Sequence, residues 1–124
     1  MWESNRGSEQ SLALTDHLLR LVNEVEPKAA LNYNRNYIGL KVAGAPLNFV
    51  TFLPRKAHVI MAIKLQRTEA TDNLLEEAGL VTLAYESLGC QYRLRIAAEP
   101  PQRQREVLLG LTRRARESFG RPSE

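Results

Sequence analysis

The feature that most constrains the fold is a change in hydrophobic period between the first quarter of the chain and the region after it. Up to residue 25, apolar residues recur at three- and four-residue steps, which places them on one face of a helix. Between residues 37 and 65 they alternate with polar residues instead, as in strands with one buried face. Short turn signals divide this second region, so consecutive strands are predicted and antiparallel pairing is the default.

Local signals predict the individual elements. The first helix is predicted at 9–25, with Ser8 or Ser11 as its N-cap and Pro27 beyond its end. The predicted strands, in chain order, are 29–33, 37–42, 47–53, 58–65, 80–85 and 91–97. A short helix, Asp72 to Ala78, is predicted with Thr71 as its cap, and a last helix is predicted from Pro100-Pro101 to Gly120.

This order of elements predicts an α+β fold, with an antiparallel sheet of about five strands and the N-terminal and C-terminal helices packed on one face. The 124 residues fit one domain, predicted at 9–120, with a flexible leader at 1–8 and a tail at 121–124. A single cysteine excludes an intramolecular disulfide. No apolar stretch approaches the roughly 20 residues of a membrane span, and no signal-peptide pattern is seen, so a cytoplasmic protein is expected.

Three short motifs in the strand region resemble a known bacterial family. They are Tyr37-Ile38-Gly39-Leu40-Lys41, Asn48-Phe49-Val50 and Pro54-Arg55-Lys56. Over residues 12–119 the chain resembles domain of unknown function fifty-six fifty-five, in which such strands lie between two helices. Members of that family occur alone or as the C-terminal module of larger proteins, some of them nuclease-like or restriction-associated, and some are labelled "predicted transport protein". The resemblance implies a DNA-linked accessory role.

One segment departs from the pattern of that family. Its members tend to carry a Gly-His-Trp-Gly-like stretch before the last strand. This chain has Ala-Tyr-Glu-Ser-Leu-Gly-Cys at residues 84–90, where only Gly89 corresponds.

Basic and aromatic residues are predicted to share one face of the sheet. Alternation places ten side chains opposite Ile38, Val59 and Leu94, namely Tyr37, Lys41, Asn48, Val50, Phe52, His58, Ile60, Lys64, Arg93 and Arg95. Such a face can stack bases and neutralise phosphates. The predicted nucleic-acid or anion-binding residues are Lys41, Arg55, Lys56, Lys64, Arg93 and Arg95. A second basic region lies at 101–121, which contains six arginines and two glutamates. For both basic regions the alternative interpretation is that the charges only keep the surface solvated.

Two other functions stand beside nucleic-acid binding. The apolar centre of the face suggests a homodimer or protein interface, predicted at Tyr37, Val50, Phe52 and Ile60. A small-ligand site between the sheet and the terminal helices is the third alternative, lined by Tyr33, Tyr37 or Tyr92.

No residue pattern indicates catalysis, so a non-enzymatic accessory module is predicted. One cysteine and two histidines give no zinc-site spacing. Cys90 and His58 have no nucleophile motif around them, and Asp72 is explained as a favourable charge in the first turn of a helix. We therefore expect no catalytic residue, metal or cofactor, and the expected partners are nucleic acid, a nuclease-like protein or a second copy of the chain, without membrane contact.

Overall fold

The computed structural model describes residues 7–119. Residues 1–6 of the predicted leader, and the predicted tail, lie outside the described residues. The helices and strands of the described part are α1 (Glu9–Asn23), β1 (Ala30–Tyr33), β2 (Ile38–Val42), β3 (Ala45–Pro46), β4 (Val50–Pro54), β5 (Val59–Lys64), α2 (Glu69–Glu77), β6 (Val81–Thr82), β7 (Gln91–Ile96) and α3 (Gln102–Ser118).

All strands join one antiparallel sheet in the order β1-β2-β4-β5-β7-β6, with β3 paired to β2. The α+β prediction with a helix at each end is therefore confirmed. The described sheet has seven strands rather than about five. β3 is a two-residue strand where none was predicted, and β6 occupies only two residues of the predicted strand 80–85. The turn between β2 and β3 is formed by Ala43 and Gly44, whose φ angles of 53° and 82° are both positive, as a tight hairpin turn requires.

Ser8 is the N-cap of α1, as predicted. The Ser11 N–H donates to Ser8 Oγ over 3.1 Å, and the Ser8 N–H donates to Ser11 Oγ over 2.8 Å. This reciprocal capping box satisfies two backbone donors that a helix start leaves unpaired. The helix ends at Asn23, whose Nδ2 donates to the Ala29 carbonyl oxygen over 2.9 Å and fixes the path into β1.

The start of α2 was predicted too late. Thr68 is the N-cap, and its Oγ1 accepts from the Thr71 N–H over 3.1 Å. The helix therefore begins at Glu69 rather than Asp72. Thr68 and Thr71 are both good capping residues, and the earlier one allows a further turn of helix.

Helices α1 and α3 pack on one face of the sheet and bury its apolar side chains. The sheet contributes Ile38, Leu40, Val50, Phe52, Val59, Met61, Ile63, Tyr92, Leu94 and Ile96 to this core. The helices contribute Leu14, Leu18, Leu21, Val22, Val107, Leu108, Leu111 and Ala115. Within residues 7–119, no helix combines the length and the hydropathy that crossing a membrane requires.

The predicted outward direction of Val50 and Phe52 is wrong. Both point into the core, with exposed fractions of 0% and 1%, so neither is available to a partner. Phe52 pairs with Met61 of β5 and Ile38 of β2, and all three face the helices. Both phases of segment 47–53 contain large apolar residues, so alternation could not choose between them, and a shift of one residue reverses every side chain.

Candidate nucleic-acid interface

The sheet face opposite α1 and α3, called the open face below, carries three cross-strand rows set by the register. The first row runs Leu53, Ile60, Arg95 and Val81, the second runs Thr51, Ala62 and Arg93, and the third pairs Lys64 with Gln91. Lys41 lies on the same face of β2, because Ile38 and Leu40 point into the core. Arg93 and Arg95 therefore point outward as predicted, while Leu94 and Ile96 face the helices.

The open face is concave and forms a trough of about 500 Å³. Leu53, Ile60 and Ala62 supply its aliphatic floor, and no helical residue lines it. Tyr37 stands on one side, and Lys64 and Arg93 stand on the other. The predicted interface residues Tyr37 and Ile60 thus do share this face, whereas Leu53 and Thr51 take the places predicted for Val50 and Phe52.

Neutral carbonyl groups hold two of the cations. Arg93 donates to the Ala84 carbonyl oxygen from Nε over 3.2 Å and from Nη2 over 3.0 Å. The Lys64 Nζ lies 3.4 Å from the Gly89 carbonyl oxygen. These contacts orient both side chains without cancelling their charge.

The open face keeps a net positive charge. None of the ion pairs found between residues 7 and 119 involves Lys41, Lys64, Arg93 or Arg95. One carboxylate, Glu86, lines the trough, but it accepts hydrogen bonds from the Gly89 N–H over 2.8 Å and Gln91 Nε2 over 2.9 Å. Neutral donors orient this carboxylate without cancelling its charge, so among residues 7–119 the four cations of the open face outnumber its one carboxylate and none of them forms an ion pair with it.

The turn residues Arg55 and Lys56 lie at one end of the sheet, where β4 turns into β5. Arg55 and Arg95 both lie near His58: the burial of this imidazole and then these two positive charges lower its pKa. The Lys56 carbonyl oxygen accepts from Ser8 Oγ over 2.8 Å, which places it beside the start of α1. The structure thus places Lys64 and Arg93 in the trough, Arg95 further along β7 and Lys41 on β2, both outside its lining. Arg55 and Lys56 lie at the margin of the sheet.

An asparagine in the trough was not singled out for a structural role. Asn48 Oδ1 accepts from the Leu40 backbone N–H over 2.9 Å, replacing the backbone carbonyl that would continue the β2–β4 ladder. Its side chain lies over Gly39, where an added Cβ would stand 2.3 Å from Oδ1. The only sequence signal for this contact was that Gly39 lies in the motif Tyr-Ile-Gly and Asn48 lies in the motif Asn-Phe-Val.

Two hydrogen-bond donors of the trough have no protein partner in the described part of the chain. Because Oδ1 of Asn48 is engaged, its Nδ2 is the end that remains for a ligand. The hydroxyl of Thr51 likewise makes no hydrogen bond to residues 7–119. These donors lie next to the aliphatic floor and among the cations.

The second basic region is largely engaged within the protein. Arg105 pairs with Glu24, and Arg116 pairs with Glu26 over 2.9 Å. The Arg116 guanidinium also lies 5.9 Å from the ring centroid of Phe49. Arg103, Arg113 and Arg114 are exposed, although Arg114 donates to Thr71 Oγ1 over 3.2 Å, and Arg121 lies outside the described residues. This region therefore offers fewer uncompensated charges than the open face.

A second cavity of about 310 Å³ lies between α2, β6 and β7. The Tyr92 hydroxyl donates to Asp72 Oδ1 over 2.8 Å and accepts from the Thr68 N–H over 3.0 Å. The hydrogen bond from Tyr92, followed by contacts with Arg67, lowers the pKa of Asp72 despite partial burial. These groups satisfy one another, so the cluster ties α2 to the sheet.

The three tyrosines predicted for a ligand site lie apart. Tyr37 lines the trough, Tyr92 lines the second cavity, and Tyr33 is 60% exposed on the outer strand β1. Cys90 is exposed in the turn before β7, whereas His58 precedes β5 at the other end of the sheet. The structure therefore does not bring Cys90 and His58 together as a nucleophile and a base.

The open face combines an excess of cations over its one carboxylate, neutral donors without a protein partner among residues 7–119, and an aliphatic floor. This set is suited to binding an anion that has an apolar surface. Within residues 7–119, no three histidine, cysteine, aspartate or glutamate side chains meet closely enough to hold a metal ion. Comparison of the chain with protein-family models, with curated proteins and with solved structures gave no match.

Proposed function

We propose that this chain is a non-enzymatic accessory module that binds nucleic acid through the open face of its sheet. The observation that carries the proposal is that Lys41, Lys64, Arg93 and Arg95 belong to one sheet face that the helices do not cover, and that none of them joins an ion pair among the described residues. The resemblance to domain of unknown function fifty-six fifty-five supports it through the nuclease-like proteins in which that domain occurs.

The electrostatics favour a polyanion over a single anion. Four cations spread over three strands match a ligand with regularly spaced charges, such as a phosphate backbone, and each phosphate they neutralise releases counterions. The hydrogen bonds of Arg93 to the Ala84 carbonyl oxygen hold its guanidinium before a ligand arrives. Less side-chain freedom is then lost on binding.

Fluorescence anisotropy with labelled DNA and RNA oligonucleotides tests the proposal, using salt concentrations of about 50 and 200 mM. We expect binding that weakens steeply with salt. The double variant Arg93→Gln, Arg95→Gln should reduce the slope of log affinity against log salt by about 2, since each phosphate contact contributes about 1. No binding at the lower salt concentration would overturn the proposal.

The matched control removes the same charge from another surface. Arg103 and Arg113 are exposed on α3, away from the trough, so Arg103→Gln with Arg113→Gln lowers net charge equally. This control should leave the salt slope unchanged. Equal losses in both double variants would show that total charge, not the open face, determines binding. Circular dichroism of each variant checks that the fold is intact.

Self-association is a second candidate function, favoured by the partly exposed aliphatic side chains Leu53 and Ile60 in the trough. Two copies joined through this face would bring their cations close together, which opposes such a dimer. Light scattering distinguishes the candidates: a dimer that Ile60→Asp converts to a monomer would favour self-association. Phe52→Asp does not serve this purpose, because Phe52 belongs to the core and the change would unfold the chain.

A further inference from the structure

We infer that the open face binds duplex DNA in its minor groove, with a preference for A·T base pairs. This inference rests on the proposed nucleic-acid function and names the class of nucleic acid. Three observations bear on it: the aliphatic floor of the trough, two lining donors without a protein partner among residues 7–119, and cations on the strands to either side of those donors.

The floor distinguishes a duplex from a single strand. Proteins that hold single strands stack successive bases on aromatic side chains. Between residues 7 and 119, Tyr37 is the one aromatic side chain that lines the trough without being buried in the core. Leu53, Ile60 and Ala62 offer aliphatic contact instead, and aliphatic side chains on a sheet can contact the minor groove and wedge between base steps. The composition of the floor therefore favours a duplex.

The unpaired donors fit the acceptors of the minor groove. At A·T pairs this groove presents only acceptors, adenine N3 and thymine O2, whereas G·C pairs add the guanine N2 amino donor. The Asn48 Nδ2 and the Thr51 hydroxyl can donate to such acceptors. Because the Leu40 N–H fixes Oδ1, Asn48 cannot turn its amide to present an acceptor without losing that hydrogen bond. A guanine amino group opposite Asn48 would therefore meet the Nδ2 donor and no acceptor, so Asn48 rather than Thr51 supplies the preference for A·T pairs.

The cations lie where the two phosphate backbones would pass. Thr51 lies in β4, and Asn48 lies two residues before that strand. Both stand between β2, which carries Lys41, and the strands β5 and β7, which carry Lys64 and Arg93. Three strand spacings separate β2 from β7, or about 14 Å. A minor groove about 6 Å wide, with its bordering phosphates, fits within that span. The donors would then read the base edges while the cations contact both strands.

The experiment compares three labelled DNA ligands of equal charge: a hairpin with an A·T stem, a hairpin with a G·C stem and an unpaired strand. Anisotropy should give about tenfold tighter binding to the A·T hairpin than to either other ligand, which corresponds to about 1.4 kcal/mol. Netropsin, which occupies the minor groove of A·T tracts, should displace the protein from the A·T hairpin.

Two variants test the donors. Thr51→Val removes the hydroxyl while keeping the shape of the side chain, and Asn48→Asp keeps an oxygen for the Leu40 N–H while removing the amino group. Asn48→Asp should lower the A·T to G·C affinity ratio several-fold, because it removes the amino group and leaves only acceptors toward the groove. Thr51→Val should weaken binding to both hairpins, because a hydroxyl can donate to adenine N3 or thymine O2 and can equally accept from the guanine amino group. In contrast to Asn48→Asp, Arg93→Gln with Arg95→Gln should weaken binding to both hairpins equally.

The outcomes separate this inference from the proposed function. Tighter binding to the single strand, equal binding to both hairpins, or no displacement by netropsin would overturn the minor-groove inference and leave nucleic-acid binding intact. Absence of binding to all three ligands would overturn both. An unchanged affinity ratio in Asn48→Asp, or an unchanged affinity in Thr51→Val, with circular dichroism showing folded proteins, would also overturn the assignment of the donors.

Discussion

The contact between Gly39 and Asn48 gives a sharp prediction about stability. An alanine Cβ at position 39 would stand 2.3 Å from Asn48 Oδ1 and 3.2 Å from Tyr37 Cε2. Real Cβ contacts essentially never fall under 3.0 Å, so Gly39→Ala must displace the asparagine side chain. The Leu40 N–H then loses its acceptor in the middle of the sheet.

The magnitude follows from two opposing effects. A buried N–H left without a partner costs about 1–3 kcal/mol. Alanine also restricts the unfolded chain, which stabilises the folded state by about 0.4–1 kcal/mol. Gly39→Ala should therefore lower the free energy of unfolding by about 1–2 kcal/mol. With Asn48→Ala already present, the closest obstacle and the hydrogen bond are both gone, and the Tyr37 ring edge at 3.2 Å needs to shift by only a few tenths of an ångström. Gly39→Ala should then be neutral or stabilising by up to about 1 kcal/mol.

A double-mutant cycle measures this coupling. Urea unfolding followed by circular dichroism gives the free energy of unfolding for the original protein, both single variants and the double variant. The expected interaction between the two substitutions is about 1–3 kcal/mol. If their effects add to within about 0.5 kcal/mol, the two sites are independent and the contact does not support the sheet.

Three further predictions concern other parts of the chain. Gly110→Ala in α3 should stabilise the protein by about 0.5–1 kcal/mol in urea unfolding, because a Cβ there meets nothing within 4 Å and alanine is the better helix former; a loss of stability would contradict this. Tyr92→Phe should raise the pKa of Asp72 in an NMR titration, so that less stability is lost as pH falls through that pKa; an unchanged pKa would show that Arg67 alone sets it. His58 Nδ1 is buried without a hydrogen-bond partner among the described residues, and the pKa of His58 is lowered from the usual histidine value. The contribution of neutral His58 to stability is therefore fully present above the usual histidine pKa and is lost as pH falls through that value. Between about pH 7.5 and about pH 5.5, the unfolding temperature should therefore fall more for the original protein than for His58→Gln. Parallel curves of unfolding temperature against pH would contradict the role of this imidazole.

The sequence predicted elements best where local chemistry and periodicity agreed. The start of α1 followed from Ser8 and a regular apolar stripe, and the capping box bears this out. The outward direction of Arg93 and Arg95 was equally clear, because the other phase of β7 holds tyrosine, leucine and isoleucine. In such strands only one orientation keeps the charges in water.

Segment 47–53 shows why the rest could not be predicted. Phe49 and Phe52 belong to opposite phases of the alternation, yet both are fully buried. The chain bends at Phe49, which lets its ring turn toward Phe119, 6.5 Å away between ring centroids, before β4 begins at Val50. Only contacts with α3 and β5 decide this geometry, and these partners are distant in the sequence.

The same bend creates the part of the site that the sequence did not indicate. Because the backbone leaves the β2–β4 ladder before Val50, the Leu40 N–H needs another acceptor, and Asn48 supplies it from its side chain. This use of Oδ1 leaves Nδ2 turned to the trough, and Gly39 provides the space. An irregularity needed to bury Phe49 thus also places a directed donor among the cations, so the specificity of this face would depend on the packing of the core beneath it.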